Sequence, residues 1–372
     1  MHRAPQRLKF SKGLLAFSET VRDARAMDEA LFYNALAVAY GGDRVKLKRV
    51  KQRFSTWNSA YRFLKKAGTR AEPPIIVPDA REAWAALAAK GVRFIFLGDP
   101  EYPLLLREIA DPPLGLYIRG VLSAGTYFSA VGTRRATPEG AATMRHFTGT
   151  LAEAGFVIVS GLAFGMDAAA HEGCLTAAGT TIAVLAGGLH DVYPGQHEKL
   201  ADRIIQNGGA LVSEYPLGAP PFAPRFLERN RIIAGLSRGV LIVEAPEKSG
   251  ALVTARLAME ENREVFVVPG PITRDGYKGS HALIRQGAEL VTSPEEILGA
   301  YGVTREAQTA RAITGVSSEE KQVLKALRDA GRALDVDKIA DAARLEPRTA
   351  NRALTSLVLK DLIKETGGGY TI

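Results

Sequence analysis

The chain has 372 residues, of which 46% are hydrophobic, so it is long enough for two or three domains with substantial cores. No apolar run approaches the roughly 18 residues of a membrane span, and residues 1–17 lack the apolar run and the cleavage pattern of a secretory signal. Cys174 is the sole cysteine, which excludes an internal disulfide and a metal site built from several thiolates, as expected of a cytoplasmic protein.

The net charge of +8 is distributed unevenly along the chain. Residues 1–70 hold 16 Lys and Arg against 5 Asp and Glu, whereas the remaining chain holds 32 against 35. A basic N-terminal segment on a nearly neutral body indicates contact with a polyanion. The alternative is a solvated helical face with scattered lysines.

Residues 1–80 are predicted to form a basic helical domain. Apolar periodicity favours helices over residues 27–41, 45–54 and 57–68, and residues 71–80 form a proline-rich connection. Aromatic side chains interleave with the basic ones. They are either the core of the domain, which is favoured, or surfaces that stack on nucleobases. These aromatic residues are Tyr33, Phe54, Trp57, Tyr61 and Phe63.

Residues 81–300 are predicted to form an α/β domain with an extended Rossmann-like, doubly wound parallel sheet. Apolar and β-branched runs alternate with helical patterns, which places helices on both faces of the sheet. The proline-punctuated stretch 99–120 is expected to lie along the edge of the sheet. The predicted strands are residues 92–97, 127–131, 156–160, 181–188, 210–215, 239–245 and 264–270.

The C-terminal part of the chain is predicted to form a separate unit. Residues 301–316 have weak periodicity and are expected to be a linker. Residues 317–372 are predicted to form a winged helix, with helices followed by a hairpin that turns at Gly367–Gly369. This unit carries 10 basic against 9 acidic residues, which is too balanced for a strong reader of duplex DNA.

The stretch Phe156–Ala177 reads as a strand, a glycine-rich turn and a helix start. Such a turn leaves free backbone N–H groups and a positive helix dipole that favour an anion such as phosphate. Other predicted strand ends also carry glycine, so we expect five such turns to border one crevice at the ligand edge of the sheet. Their glycines are Gly132, Gly161, Gly187 with Gly188, Gly250 and Gly270.

Two clusters of arginine lie near these turns. Arg134 and Arg135 follow the strand 127–131, in a turn that lacks the G-x-G-x-x-G pattern of a dinucleotide site, and the chain has no Walker motif. Their guanidinium groups suit phosphate oxygens, although pairing with acidic side chains of neighbouring loops is the alternative. The second cluster, residues 225–231, directly precedes a predicted helix at 232–237 and would close a groove with the first.

Structural roles are the alternative for the second cluster. Arg229 and Arg231 would then bond carboxylates near their own helix, such as Glu214 and Glu244. No catalytic site is indicated, because the histidines are scattered and no nucleophile elbow, zinc-binding helix motif or carboxylate cluster is present. We therefore expect no catalytic residue, no metal and no cofactor, and a packing role for His171.

The motifs taken together resemble the DprA/Smf family of DNA-processing proteins. They are, in order, VGTRR, SGLAFGMDAAAH, TIAVLAGGLHDVYP, SEYP, RNRIIAGLS, VEAPEKSGALVTA and VVPGPI, and they span roughly residues 90–300. The resemblance implies single-stranded DNA binding, loading of the RecA recombinase in natural transformation, a homodimer and no established catalytic activity. It also implies a sterile-alpha-motif-like N-terminal domain and a C-terminal winged helix.

The expected binding residues follow from the resemblance together with the turns above. In many relatives a lysine follows the Tyr-Pro turn, whereas here Gly195 follows Tyr193-Pro194, so one phosphate contact is missing unless Arg225 or Lys199 replaces it. The expected DNA contacts are Gly132, Thr133, Arg134, Arg135, Ser160, Gly161, Gly187, Gly188, Arg225, Arg229, Asn230, Arg231, Ser249 and Gly250. The expected dimer contacts are His281, Ile284 and Leu290, in the segment Lys278–Leu290.

Two other functions stay open at this point. A Rossmann-like nucleotide-phosphate hydrolase would carry a PGGxGTxxE loop, and the nearest segment, Pro246–Ala251, lacks its paired glycines. A regulator would combine a winged helix that reads duplex DNA with an α/β domain that senses a ligand. The balanced charge of residues 317–372 disfavours this second alternative.

Overall fold

Within the described residues of the computed structural model, nine strands form one sheet. The model describes residues 27–67, 74–303, 317–359, 362–367 and 369–371. The N-terminal segment 1–26 and most of the expected linker, residues 304–316, lie outside them. The strands are β1 (Val92–Phe96), β2 (Gly115–Gly120), β3 (Thr126–Val131), β4 (Phe156–Ser160), β5 (Thr181–Val184), β6 (Ala210–Ser213), β7 (Gly239–Ile242), β8 (Glu264–Val267) and β9 (Glu289–Leu290).

The strand order confirms the predicted doubly wound α/β fold. Across the sheet it is β1-β2-β6-β5-β4-β3-β7-β8-β9. The strands from β6 to β9 in this order are parallel, and β2 is antiparallel to both of its neighbours, β1 and β6. Strand connections proceed from β3 through β4, β5 and β6 in one direction and from β7 through β8 and β9 in the other. The order therefore reverses between β3 and β7, which is a topological switch point.

Helices connect and flank these strands. α1 occupies residues 27–39 of the described chain. The others before the unit boundary are α2 (Arg44–Arg53), α3 (Trp57–Ala67), α4 (Ala80–Ala89), α5 (Leu104–Arg107), α6 (Pro138–Glu153), α7 (Met166–Thr176), α8 (Glu198–Gln206), α9 (Ala223–Leu236), α10 (Gly250–Glu260) and α11 (Lys278–Arg285). No helix among the described residues is long and apolar enough to cross a membrane.

Alternating side chains of the strands fill two hydrophobic clusters. On β5, Ile182 and Val184 belong to the cluster that contains α9 and α10, whereas Ala183 belongs to the cluster that contains α1 to α3 and α8. On β6, Val212 belongs to the first of these clusters and Leu211 to the second. Because successive residues of a strand point to opposite faces, both faces of the sheet are covered, as the apolar runs predicted.

The N-terminal helices share the second of these clusters with the sheet. The ring of Tyr33 lies 4.9 Å from that of Trp57 and 5.0 Å from that of Phe94 on β1, measured between centroids. Tyr117 on β2 donates its hydroxyl hydrogen to Asn34 over 3.0 Å. The first compact unit accordingly extends to Pro294 and includes α1 to α3.

The structure corrects three details of the sequence prediction. The stretch 99–120 was expected at the sheet edge, but it contributes β2, which lies between β1 and β6. The predicted strand 181–188 ends at Val184, because the chain turns away at the carboxyl edge. The cluster 225–231 was expected before a helix, but α9 already begins at Ala223, with a proline in its first turn.

The second compact unit begins at Glu295. Its described elements include α12 (Pro294–Ala300), which starts at the boundary, α13 (Ser318–Ala330), α14 (Val336–Ala343), α15 (Pro347–Leu359), β10 (Lys364–Thr366) and β11 (Gly369–Thr371). The last two strands form an antiparallel hairpin, and Tyr370 pairs with Leu334 ahead of α14. Helices followed by a hairpin are the elements that a winged helix requires. The winged-helix assignment stays a prediction.

Candidate functional site

A groove lies at the switch point, beyond the carboxyl ends of β3 and β7. Its volume is about 350 Å³, which is within the usual range of ligand sites. The turns after β3, β4 and β7 and one side of α9 form its walls. The lining residues include Gly132, Thr133, Arg134, Arg135, Ala163, Asp167, Phe226, Leu227, Arg229, Asn230, Lys248, Ser249, Gly250 and Thr254.

Arg134 and Arg135 supply exposed positive charge to this groove. The turn that carries them is fixed, because the N–H of Thr133 donates to the carbonyl of Glu244 over 2.7 Å. Both arginines are exposed, and neither forms an ion pair with a described carboxylate. The guanidinium carbon of Arg134 lies 5.0 Å from the ring centroid of Phe226. The alternative of pairing with neighbouring acidic residues is therefore not seen in the described part of the chain.

The N-terminus of α10 forms the opposite wall. The hydroxyl of Ser249 accepts a hydrogen bond from the N–H of Ala251, and the side chain of Asn230 donates to the carbonyl of Gly250 over 3.2 Å. The exposed Lys248 precedes this cap. The first turn of a helix leaves backbone N–H groups free, and its dipole favours an anion. The wall thus combines a cation with the positive end of a helix dipole, where the N–H groups of Ala251 and Leu252 bond to Ser249.

Arg229 lies in the floor of the groove and is only 4% exposed. Its Nη1 donates to the carbonyl of Gly161 over 2.7 Å and also to that of Val184, so it connects the ends of β4 and β5. Gly161 is required here, because a Cβ at this position would lie 2.2 Å from Nη1. The carboxylate of Asp167 accepts from the N–H groups of Gly161 and Ala163 over 3.2 and 3.3 Å.

Burial shifts the pKa values of this pair. Burial lowers the pKa of Arg229 to about 10, although the charge of Asp167 opposes the shift. Burial raises the pKa of Asp167, against the effect of Arg229 and of the backbone N–H groups. Each charge offsets part of the other's desolvation, so the two groups depend on each other. Nε of Arg229 has no hydrogen-bond partner among the described residues.

Arg231 points away from the groove. Its Nη2 donates to Glu214 over 2.5 Å, and its Nε lies 3.6 Å from Asp111. Asp111 also binds Arg44 and Lys48 of α2. Burial opposes ionisation of Asp111, but Lys48, Arg231 and Arg44 together hold its pKa below the usual value. Arg231 thus bonds to Glu214, as the alternative of a structural role expected. Glu244, the other carboxylate named in that alternative, instead accepts a hydrogen bond from the N–H of Thr137 over 3.0 Å.

Arg225 also lies outside the groove lining. Its guanidinium group lies 4.4 Å from the ring centroids of both Tyr215 and Phe222. It donates to the carbonyl of Pro220 over 2.7 Å and to that of Gly41. Arg225 is therefore occupied by its own chain and is not placed to replace a lysine after the Tyr-Pro turn.

Several other expected residues occupy structural positions near the sheet. Ser160 is buried, and its hydroxyl donates to the carbonyl of Ala130 over 2.6 Å. Gly187 and Gly188 pack against residues 216–221, and Gly270 packs against the ring of Tyr277. The five glycine turns thus do not all border one crevice: Gly132 and Gly250 line the groove, and Gly161 supports its floor. Lys199 is exposed on α8 and is not part of the lining.

The expected dimer residues lie together near the β9 edge of the sheet. The exposed Leu290 belongs to β9, the last strand on this side. Ile284 is partly buried against the main core, and Nε2 of His281 lies 3.1 Å from the carbonyl oxygen of Gly270. Parts of this segment therefore remain accessible for a partner.

The lining residues that are absent from the expected DNA contacts include Phe226, Asp167 and Lys248. Phe226 precedes Asn230 by one helical turn, so recognising α9 from Ala223 onwards would have placed both on one face. The stretch Phe156–Ala177 was predicted to contain a helix start, but no local sequence signal places the carboxylate of Asp167 near an arginine. Among the described residues, no group of three or more His, Cys, Asp and Glu could hold a metal ion.

Comparison with known proteins gives one family. The model of the family "DNA recombination-mediator protein A" matches residues 93–302. Protein Smf of Escherichia coli is 51% identical over 199 residues, which is 53% of each chain. DNA processing protein DprA of Bacillus subtilis is 40% identical over 237 residues, 63% of this chain and 80% of the relative. The chain thus matches about half of the length of the first of these relatives.

Solved structures agree with this result. The structure of DprA from Streptococcus pneumoniae is similar with a TM-score of 0.54 and 41% identity, over 58% of this chain and 77% of that chain. DprA from Helicobacter pylori, whose structure is described as revealing a single-stranded DNA binding mode, matches with a TM-score of 0.51 and 30% identity. That match covers 56% of this chain and 95% of the Helicobacter protein.

Proposed function

The chain belongs to the DprA/Smf family of DNA-processing proteins, and on that premise we propose that its switch-point groove binds single-stranded DNA without sequence preference. The observation that carries the proposal is the pair of exposed arginines, Arg134 and Arg135, which form no ion pair with a described carboxylate and lie opposite the N-terminus of α10. Guanidinium groups and helix N-termini bind phosphate oxygens and do not read base edges.

Aromatic side chains beside the arginines favour a single strand over a duplex. The ring of Phe226 lies 5.6 Å from that of Tyr193, and Tyr193 is 52% exposed. Unpaired bases stack on such rings with little sequence preference, whereas the bases of a duplex are not accessible to them. The single-stranded DNA binding described for the Helicobacter relative supports the same assignment.

The wider role of the protein follows the family. We propose that it protects single-stranded DNA and loads the RecA recombinase during natural transformation and recombination, acts as a homodimer, and works in the cytoplasm. We also propose that the groove binds without catalysis. Asp167 is the one carboxylate among the described residues of the lining, and it already accepts hydrogen bonds from two backbone N–H groups.

The test is the Arg134→Ala variant, with DNA affinity measured by fluorescence anisotropy of a labelled oligothymidylate. Loss of a charge-assisted contact is worth about 1.5–3 kcal/mol, so affinity should fall roughly ten- to a hundredfold. The salt dependence should flatten by about 0.7 for the lost phosphate contact. The matched control is Arg203→Ala, which removes an exposed arginine from α8.

The outcomes separate the alternatives. Equal loss in both variants would show a dependence on net charge and not on the groove. Equal affinity of the wild-type protein for duplex DNA would contradict the single-strand assignment. Release of phosphate from a nucleoside monophosphate in parallel samples, lost in Asp167→Asn, would favour the hydrolase.

A further inference from the structure

α2 and α3 expose a basic surface that the groove does not use. On α2 the exposed positions are 45, 46, 49, 51, 52 and 53, and on α3 they are 59, 62, 63, 65 and 66. Positions 45, 46, 49, 52 and 53 share one face of α2, and positions 59, 62, 63 and 66 share one face of α3. Four cations on these faces form no ion pair with a carboxylate of the described chain, whereas the neighbouring Lys46 and Lys65 pair with aspartates. The four cations are Arg49, Arg53, Arg62 and Lys66.

An exposed aromatic ring joins the two faces. Phe63 of α3 is 44% exposed, and its ring centroid lies 5.3 Å from that of Phe54 at the end of α2. The guanidinium carbon of Arg53 lies 5.4 Å from the Phe63 ring. By contrast, Trp57 and Tyr61 are buried, as the core interpretation predicted. We call Arg49, Arg53, Arg62, Phe63 and Lys66 the basic face.

The basic face is attached firmly to the helix that lines the groove. Arg225, at the start of α9, donates to the carbonyl of Gly41 in the turn before α2. Arg231 of α9 contacts Asp111, and Arg44 and Lys48 of α2 bind the same aspartate. Two independent contacts thus hold α2 beside α9, within one compact unit. A ligand that contacts both surfaces would need no domain movement.

We propose that the basic face is a second binding site for single-stranded DNA, which holds nucleotides of the strand that extends beyond the groove; this rests on the proposed function of the groove. The positive charges of the basic face indicate an anionic partner. The exposed ring beside an arginine indicates that this partner carries unpaired bases. A flat aromatic ring with a guanidinium group on it is a stacking surface for unpaired bases. An acidic protein would use the charges but has no unpaired base to stack on the ring.

The test compares a short and a long oligothymidylate, of about 6 and about 40 nucleotides, by fluorescence anisotropy. In Arg53→Glu/Arg62→Glu, affinity for the long strand should fall at least about tenfold, and its salt slope should decrease by about 1.4 for two lost phosphates. Affinity for the short strand, which the groove alone can hold, should stay within about twofold. Phe63→Ala should weaken the long strand as well, and Phe63→Trp should retain it.

The matched control is Lys90→Glu/Arg203→Glu, which changes the net charge by the same amount. Lys90 is exposed at the C-terminal end of α4, and Arg203 is exposed on α8. Circular dichroism reports whether each variant is folded, and tryptophan fluorescence provides a second check for the variants that introduce no tryptophan. Equal loss in the control, or no loss in the double variant, overturns the second site while leaving the groove intact. Failure of the wild-type protein to bind either strand overturns both proposals. Loss of binding to phosphatidylserine vesicles with unchanged DNA binding would assign the face to a membrane surface instead.

Discussion

Arg229→Ala tests whether the second arginine cluster contacts DNA or holds the groove together. The side chain is buried, bonds the carbonyls of Gly161 and Val184, and lies beside the buried Asp167. Removing it leaves a carboxylate without its counter-charge and two carbonyls without a donor. Each buried polar group left without its partner typically costs about 1–3 kcal/mol, and more where a charge is involved, so the total is a large fraction of a domain's stability. We therefore expect a large loss of stability, with DNA affinity of the folded molecules changed less than about threefold, far below the loss expected for an exposed charged contact.

The pH dependence of this loss adds a second signature. Asp167 already has a raised pKa, and removal of Arg229 removes the charge that opposes the shift, so its pKa rises further. The folded variant then takes up a proton at a higher pH than the unfolded chain does. A raised carboxylate pKa costs stability above the folded pKa, and that cost disappears as the pH falls through it. The stability difference between wild type and variant should consequently shrink as the pH falls from neutral towards the pKa of an unfolded aspartate, about 3.9.

Urea titration followed by tryptophan fluorescence measures the free energy of unfolding of the compact unit that contains Arg229. The chain has two tryptophans, Trp57 and Trp84, and both lie in the unit that ends at Pro294. Asp167→Asn in the Arg229→Ala background should recover part of the lost stability and remove the added pH dependence. Asp167→Asn alone is the control. Unchanged stability together with at least tenfold weaker DNA binding in Arg229→Ala would refute the reasoning and assign Arg229 to the DNA contact.

Two further predictions concern other parts of the first unit. Burial lowers the pKa of His171 to about 3, so the folded protein should lose stability as the pH falls below the unfolded value near 6.5, by about 2 kcal/mol at pH 5. His171→Gln should remove this pH dependence of stability, which urea titrations at about pH 7 and about pH 5 measure. An unchanged pH dependence would contradict a buried, neutral His171. Ile284→Glu should convert the proposed dimer to a monomer, because a symmetric contact introduces the charge twice. Light scattering coupled to size exclusion measures this, and a persistent dimer would move the interface away from Lys278–Leu290.

Much of the fold could be predicted because its signals are local. Apolar runs such as residues 156–160 and 239–242 are strands in the structure, and glycine or a capping residue follows several of them. β2 was missed because Gly115–Gly120 follows paired prolines and joins the sheet in the antiparallel direction. The pairing partner of a strand depends on distant residues, here Ala210–Ser213, and no local pattern specifies it.

The groove was predicted in part for the same reason. Turns after parallel strands must meet at one edge, so the positions of Arg134 and Gly250 followed from chain order. Burial does not follow from chain order. Phe63 and Trp57 are both aromatic residues of one helix, yet the first is exposed and the second buried. Which face of α3 meets the sheet is decided by the shape of the neighbouring helices and strands.

The division of the second arginine cluster has a geometric cause. A helix turns by about 100° per residue, so side chains two positions apart point to nearly opposite sides. Once α9 includes the whole cluster, Arg229 and Arg231 cannot face the same groove. The first connects to the ends of β4 and β5, and the second to Glu214 and Asp111. Read as an extended segment before a helix, the same residues suggested a single binding surface. In the helix the two side chains instead bond to different parts of the first unit, and the exposed positive charge of the groove comes from Arg134, Arg135 and Lys248.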